Sequence, residues 1–407
     1  NYIVNMGTDQ NNKLKLATDY IKFLGTTEFT PAEIQQEFYK LGCDLSVNCS
    51  SENIQITLSG LQSNFEESVT LLENILSNAI PDEEALTNLK LAKMKERSDA
   101  KLNKQTILWS AMINYAKYGE NSSFRNKLSS EELNNVTSEE LIDLIHNLTT
   151  YKHRILYYGP ESIEKVSSTL ESLHTNQTDL KEIPTKKKFV ESEMDKPIVY
   201  VVDYDMKQAE VMILSKGDKP NMQNMNKYSR IKFHNEYFGG GMSSIVFQEM
   251  RESKALAYSV YSTYTMPRDT NSSHYVMSYI GTQADKLSES ISGMTELLDV
   301  MPEAESNMNN AKEAIEQKIR TERLTKSKVL SEYEKAYKLG IKHDVRRDLY
   351  EALQNFDMNS LKGFHNSYIS NGTRVIMVLG SKDNLDLEVL REYGEIQHLT
   401  LEDVFGY

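Results

Sequence analysis

The feature that most restricts how this chain folds is that it repeats itself. "EFYKLGCDLSV" at 37–47 lines up with "EMRESKALAYSV" at 249–260, each the end of a helix running into a strand. "SGLQSNFEESVTLLENIL" from Ser59 lines up with "IGTQADKLSESISGMTELL" from Ile280, reading as strand, Gly, turn and amphipathic helix. Long charged helices follow, such as 85–118 and 306–339, closing on "AKYG" at 116–119 and "YKLG" at 337–340. Each copy then ends on a helix and a strand that stops at Gly, "EELIDLIHNLTTYKHRILYYG" and "LKGFHNSYISNGTRVIMVLG". Matched blocks in one order are the signature of a duplicated unit.

The length agrees with this reading. A chain of 407 residues exceeds one ordinary core and predicts two domains of roughly 200 residues each. The segment from His174 to Pro197, "HTNQTDLKEIPTKKKFVESEMDKP", is polar and charged, with a Lys run at 186–188, and reads as a linker. The boundary is placed near residue 190, giving domains 1–190 and 191–407. "IVYVVDYD" from Ile198 then opens the second copy with a β-branched strand. The expected class is α+β: two homologous domains, each a mainly antiparallel sheet covered by helices.

Charge excludes one class of partner. Acidic residues outnumber basic ones, for a formal net charge of −13, and nucleic acid needs clustered Lys and Arg to displace its counterions. No apolar run reaches the about 18 residues of a transmembrane helix, so no membrane-spanning segment is expected. "NYIVNMGTDQ" reads as a strand and a turn, without the basic and apolar regions of a signal peptide. The start at Asn1 therefore reads as a processing boundary, with a position inside a longer polypeptide as one reading of it. Cys43 and Cys49 are the only cysteines, and their spacing suits neither a metal knuckle nor a disulfide framework. They read as two small half-buried side chains.

With "FGGGMSSIVFQEMRESKALAYSVYS" at 238–262 inside it, the duplicated order resembles the insulinase or pitrilysin-like (M16) family of zinc metallopeptidases across essentially the whole chain. The resemblance implies the LuxS/MPP-like fold of that family. Members that cut peptides carry an inverted motif, H-x-x-E-H, on the first helix, where two His hold Zn²⁺ and the Glu is the base for metal-bound water. Anchored on "KFLGT" at 22–26, the five motif positions here are "LATDY", residues 16–20. Leu16 has no lone pair, Asp19 stands for the Glu, and Tyr20 offers a phenol that stays protonated near neutral pH. The position of the family's third ligand falls on Arg97, with Glu96 one residue off. No zinc is expected in this chain, and the resemblance places the zinc in a partner half. No two of the eight histidines are four apart, so neither zinc motif occurs elsewhere, and His234 in "HNEY" reads as a packing or surface residue.

One family feature does survive. Members built of two halves carry in their last domain an Arg and, seven residues later, a Tyr that reach the substrate backbone near the zinc; Arg251 and Tyr258 have that spacing in "RESKALAY". A guanidinium offers forked donors to a peptide carbonyl, and a phenol can face a developing oxyanion. On spacing alone, Arg251 could equally pair with Glu249 or Glu252, and Tyr258 could simply pack on a sheet. "GGGMSS" at 239–244 lacks the Lys of a phosphate loop, and Gly239, Gly240 and Gly241 read as a tight turn that lets backbone approach closely.

The resemblance thus implies the non-catalytic, substrate-clamping half of a zinc peptidase that hydrolyses peptides, partnered by an N-terminal zinc-bearing half or subunit. The alternative is a scaffold subunit of the same fold with no part in proteolysis, similar to the core subunits of respiratory complexes. A hydrolase with other ligands finds no nucleophile signature, since G-x-S-x-G is absent. Compartment is open, with the resemblance leaning to the bacterial periplasm.

Overall fold

The computed structural model describes residues 1–174, 179–220, 225–267 and 269–407. Residues 175–178, at the start of the linker, lie outside the described residues. The chain divides into two compact units. The first comprises Asn1–Asn103, Glu120–Val190 and Phe405–Tyr407; the second comprises Lys104–Gly119 and Glu191–Val404. Both combine an antiparallel-rich sheet with covering helices, so the class is α+β.

In the order of the chain, the first part holds β1 (Tyr2–Val4), α1 (Leu14–Tyr20), α2 (Pro31–Leu41), β2 (Cys43–Cys49), β3 (Ile54–Gly60), α3 (Phe65–Asn78) and α4 (Glu83–Lys101). A π-helical turn, Thr106–Met112, leads into α5 (Ile113–Tyr118), followed by α6 (Ser130–Asn135), α7 (Ser138–His146), β4 (His153–Ile155) and α8 (Ile163–Leu173). The first unit's sheet has the order β2-β3-β1-β4, antiparallel throughout. The helix starts follow local chemistry. Thr30 forms a capping box with Glu33 ahead of Pro31, and Asp82 caps α4 by accepting from the Ala85 N–H at 2.9 Å.

The second unit adds β5 (Ile198–Asp203), β6 (Gln208–Lys216), α9 (Met225–Phe238), α10 (Ile245–Phe247), β7 (Ser259–Tyr264), β8 (Tyr275–Gln283) and α11 (Leu287–Asp299). Then come α12 (Glu305–Thr321), α13 (Lys326–Lys338), α14 (Val345–Leu353), α15 (Met358–Tyr368), β9 (Val375–Gly380) and β10 (Glu395–Leu399). Its six strands run β10-β5-β9-β6-β8-β7, with β10/β5 and β5/β9 parallel and the remaining pairs antiparallel.

Strand β6 is buried along nearly its whole length, because this sheet is covered on both faces. Val211, Ile213, Val260 and Ile280 face a helical layer with Phe233, Met294 and Phe364 in its core. Met212, Tyr279 and Tyr261 share one cross-strand row, and the Trp109 ring lies against Tyr261 at 5.5 Å and Tyr279 at 5.0 Å.

That contact corrects the expected helix over 85–118. The helix ends at Lys101, and the stretch from Lys104 to Gly119 belongs to the second unit. The reason is burial demand: α4 buries only Leu86 and Leu89, whereas Ile107, Leu108, Ala111, Met112, Ile113 and Ala116 are all buried. A helix with one narrow apolar stripe suits a surface, and one apolar on several sides needs a covering sheet. The expected helix over 306–339 is likewise two, α12 and α13, parted by an extended Glu322 and the N-cap Thr325.

Candidate functional site

In the first unit the residues of interest sit on α1, whose Leu14, Leu16, Ala17 and Tyr20 are buried. Leu16 is core. Tyr20 is fully buried, and its hydroxyl donates to the Asp82 carbonyl at 2.6 Å while accepting from the Asp82 N–H at 2.8 Å. Burial, with Asp82 and Glu83 nearby, pushes the phenol above its ordinary range, although the hydrogen bond to Asp82 pulls the other way. Asp19 meets two ammonium groups, Lys15 at 2.8 Å and Lys93 at 3.0 Å. Burial raises its carboxyl, and the two lysines outweigh that and hold it below the usual range.

Arg97 lies one turn beyond Lys93 on α4. It donates from Nη2 to the Leu128 carbonyl at 2.6 Å and stacks on the Tyr407 ring at 5.0 Å. Glu96 pairs with Lys93 at 2.7 Å. The cation that α4 brings to Asp19 is therefore Lys93 and not Arg97, which sequence reasoning missed. Its signal was available: Lys93 and Arg97 share a helix face at i, i+4, and Lys15 stands four before Asp19.

This donor set does not fit a zinc ion. Leu16 supplies no donor, the Tyr20 oxygen has both its roles taken by one backbone residue, and the Asp19 carboxylate is already neutralised by two cations. Among the described residues no group of three or more His, Cys, Asp or Glu side chains could hold a metal. Cys43 and Cys49 are buried free thiols at opposite ends of β2. His234, in the second unit, is fully buried and bonds His365 at 3.1 Å.

In the second unit the Gly-rich turn lies between α9 and α10. A side chain at Gly239 would come within 2.2 Å of the Ser262 carbonyl oxygen on β7, and one at Gly240 within 2.7 Å of the Asn235 carbonyl. Close backbone approach, with negative or extended φ, is what these two glycines supply; Gly241 meets only the Glu236 carboxylate, at 3.5 Å. Ser244 then starts α10 by accepting from the Phe247 N–H.

Arg251 lies on a π-helical turn, Gln248–Ser253, with its guanidinium over the Phe247 ring at 4.9 Å and 3.7 Å from the Glu252 carboxylate. Tyr258 immediately precedes β7 and keeps 39% of its surface. Its N–H donates to the Gly281 carbonyl at 3.0 Å, and its hydroxyl donates to Gln208 Oε1 at 3.0 Å. The ring crosses the space that a side chain at Gly281 would fill. Glu210, beside Gly281 in the ladder, is buried and paired through Oε1 with Lys104 at 2.6 Å. Burial and the Glu210 charge push the Tyr258 phenol up, against Lys104. Arg251 and Tyr258 thus have separate supports, and both present polar atoms at the surface.

The family model of the peptidase M16 inactive domain matches residues 135–315. A zinc protease of Rickettsia felis, uncharacterized, is 25% identical over 279 residues, which span 66% of this chain and 63% of that protein. The chain thus spans less than two thirds of that relative. The crystal structure of a peptidase M16 inactive domain from Pseudomonas fluorescens is similar with a TM-score of 0.71 at 17% identity, covering 94% of this chain and 92% of that one. The periplasmic protease PqqL of Escherichia coli is similar with a TM-score of 0.70 at 13% identity, and there 94% of this chain covers 42% of the longer protein. No helix among the described residues is long and apolar enough to cross a membrane.

Proposed function

We propose that this chain, which carries the inactive domain of the M16 peptidase family, is the peptide-holding half of a zinc peptidase whose zinc comes from an N-terminal half or a partner subunit. The observation that carries the reading is the occupation of α1. The positions aligned with a zinc motif hold a core Leu16, a Tyr20 committed to Asp82, and an Asp19 committed to Lys15 and Lys93. Such a helix is built for packing, so the metal chemistry belongs elsewhere.

The match to less than half of a protease more than twice as long supports a two-half arrangement. Arg251 and Tyr258 then provide the contacts to a peptide, with the turn at Gly239, Gly240 and Gly241 shaping the surface beside them. A guanidinium donates to a peptide carbonyl, and a phenol held by its own hydrogen bond adds a second polar contact without losing much side-chain freedom. The two units are read as copies of one domain. In each, a strand is followed by a 3₁₀ turn and an amphipathic helix, Gln62–Asn64 before α3 and Ala284–Lys286 before α11.

The test is elemental analysis and peptide cleavage on the purified chain, followed by cleavage assays of the assembled enzyme. The chain alone is expected to hold no stoichiometric zinc and to cut nothing. In the assembly, Arg251→Ala and Tyr258→Phe are expected to lower peptide turnover by about tenfold with zinc content unchanged. One zinc per isolated chain with chelator-sensitive cleavage would overturn the reading, and unaltered kinetics in both variants would remove the peptide-holding role.

A further inference from the structure

A buried polar chain runs through the first unit, away from the residues discussed so far. The Tyr2 hydroxyl on β1 donates to Glu73 Oε1 on α3 at 2.6 Å, and the same oxygen lies 2.9 Å from His174 Nδ1. His174 Nε2 lies 2.9 Å from His153 Nε2 on β4, and His153 Nδ1 lies 2.7 Å from the Tyr151 carbonyl. Tyr2, Glu73 and His174 are buried and His153 is partly so. Burial keeps the His153 imidazole below its ordinary range, with the Tyr151 carbonyl and Glu73 opposing and His174 adding to the shift.

Counting protons fixes the state of this chain. A carbonyl only accepts, so His153 Nδ1 carries a proton and its Nε2 presents a lone pair to His174. The contacts Glu73–His174, His174–His153 and His153–Tyr151 each need one proton, three in all. An ionised Glu73 and two neutral imidazoles bring only two. The cluster is therefore complete when it holds one extra proton between Glu73 and His174, which leaves the group neutral overall. Among the four ring nitrogens, only His153 Nε2 is left to take a further proton. It would set N–H against N–H across a 2.9 Å gap and break the chain there.

The chain of contacts also holds α8. That helix buries only Val166 along its length, packs on α3, and ends at His174, whose N–H closes the last turn on Leu170. We propose that the Tyr2–Glu73–His174–His153 chain is an acid-released latch that docks α8 on the sheet of the first unit. The groups facing His153 are Tyr2 from β1, Glu73 from α3, His174 at the end of α8 and the Tyr151 carbonyl before β4. The Tyr151 carbonyl already meets His153 Nδ1, and Glu73 Oε1 already meets Tyr2 and His174. This inference does not depend on the proposed peptidase role, and its test uses the isolated chain.

Amide hydrogen exchange of α8, corrected for the intrinsic pH dependence and referred to α7, should lose about tenfold in protection between about pH 7.5 and pH 4.5. His153→Gln keeps an acceptor and a donor on an amide that does not titrate there, and should hold the protection of α8 within about twofold over the same range. Flat protection of α8 in the natural protein, or the same acid loss in the variant, overturns the latch. Should the variant fail to fold, the imidazole nitrogen spectrum of the natural protein decides. A bare Nε2 on His153 at neutral pH is the expected result, and an Nε2–H tautomer refutes the proposal.

Discussion

The Tyr20 hydroxyl is clasped by the backbone of a single residue, donating to the Asp82 carbonyl at 2.6 Å and accepting from the Asp82 N–H at 2.8 Å. Asp82 is also the N-cap of α4, so one phenol ties α1 to the start of the next long helix. Tyr20→Phe leaves the Asp82 N–H without its partner and the Asp82 carbonyl with only the Leu86 N–H at 3.0 Å, and should cost about 1–3 kcal/mol in urea unfolding. A loss below about 0.5 kcal/mol would mean water replaces the phenol freely.

Rebuilding the metal motif should not restore a metal site. In a variant carrying Leu16→His, Asp19→Glu and Tyr20→His, Lys15 and Lys93 remain beside the new carboxylate, Arg97 remains at the third position, and the Asp82 clasp is gone. Substoichiometric zinc by elemental analysis, with reduced stability, is the expected outcome. Full occupancy would show that the third ligand comes from another residue.

Gly281 reserves the space of the Tyr258 ring. A methyl group there would meet the ring at 2.8 Å, and the atoms it meets are the far end of a side chain that can swing outward. Gly281→Ala should therefore change stability by less than about 1 kcal/mol while lowering turnover of the assembled enzyme as much as Tyr258→Phe. A variant with normal turnover would separate ring position from function.

Lys117 makes stability depend on alkaline pH. Its ammonium lies 4.1 Å from the Tyr275 ring centre, and burial lowers its pKa to about 8, Glu191 opposing. Between about pH 8 and the ordinary lysine pKa near 10.4 the unfolded chain holds a proton that the folded one has released. Stability through this group thus rises with pH across that window. Lys117→Met should stabilise the protein at pH 7 by about 1–3 kcal/mol, and the gain should fade as the natural protein deprotonates toward pH 10. A constant gain across the window would contradict the assignment.

Much of this molecule follows from local patterns. The apolar run of β6, the capping boxes, and the loss of metal donors at Leu16 and Tyr20 are properties of neighbouring residues and spacing. Gly119 and Gly340, which close the two "YG" and "LG" helix ends, both take positive φ, 64° and 69°, where glycine alone avoids a Cβ clash.

Other features have no local signature. Periodicity states that 106–116 is apolar on several sides, but it does not name the sheet that covers those sides; the sheet of the second unit does, through Trp109 on Tyr261 and Tyr279. The partner of Asp19 was likewise set by helix packing, which brings Lys93 to it and turns Arg97 to Leu128. Sequence alone determined the fold class and the absence of a zinc ligand set on α1, because propensity and donor chemistry reside in single residues. Tertiary structure decided which charges meet and which sheet claims a helix, because burial and Coulomb energies depend on distances that only the packed chain defines.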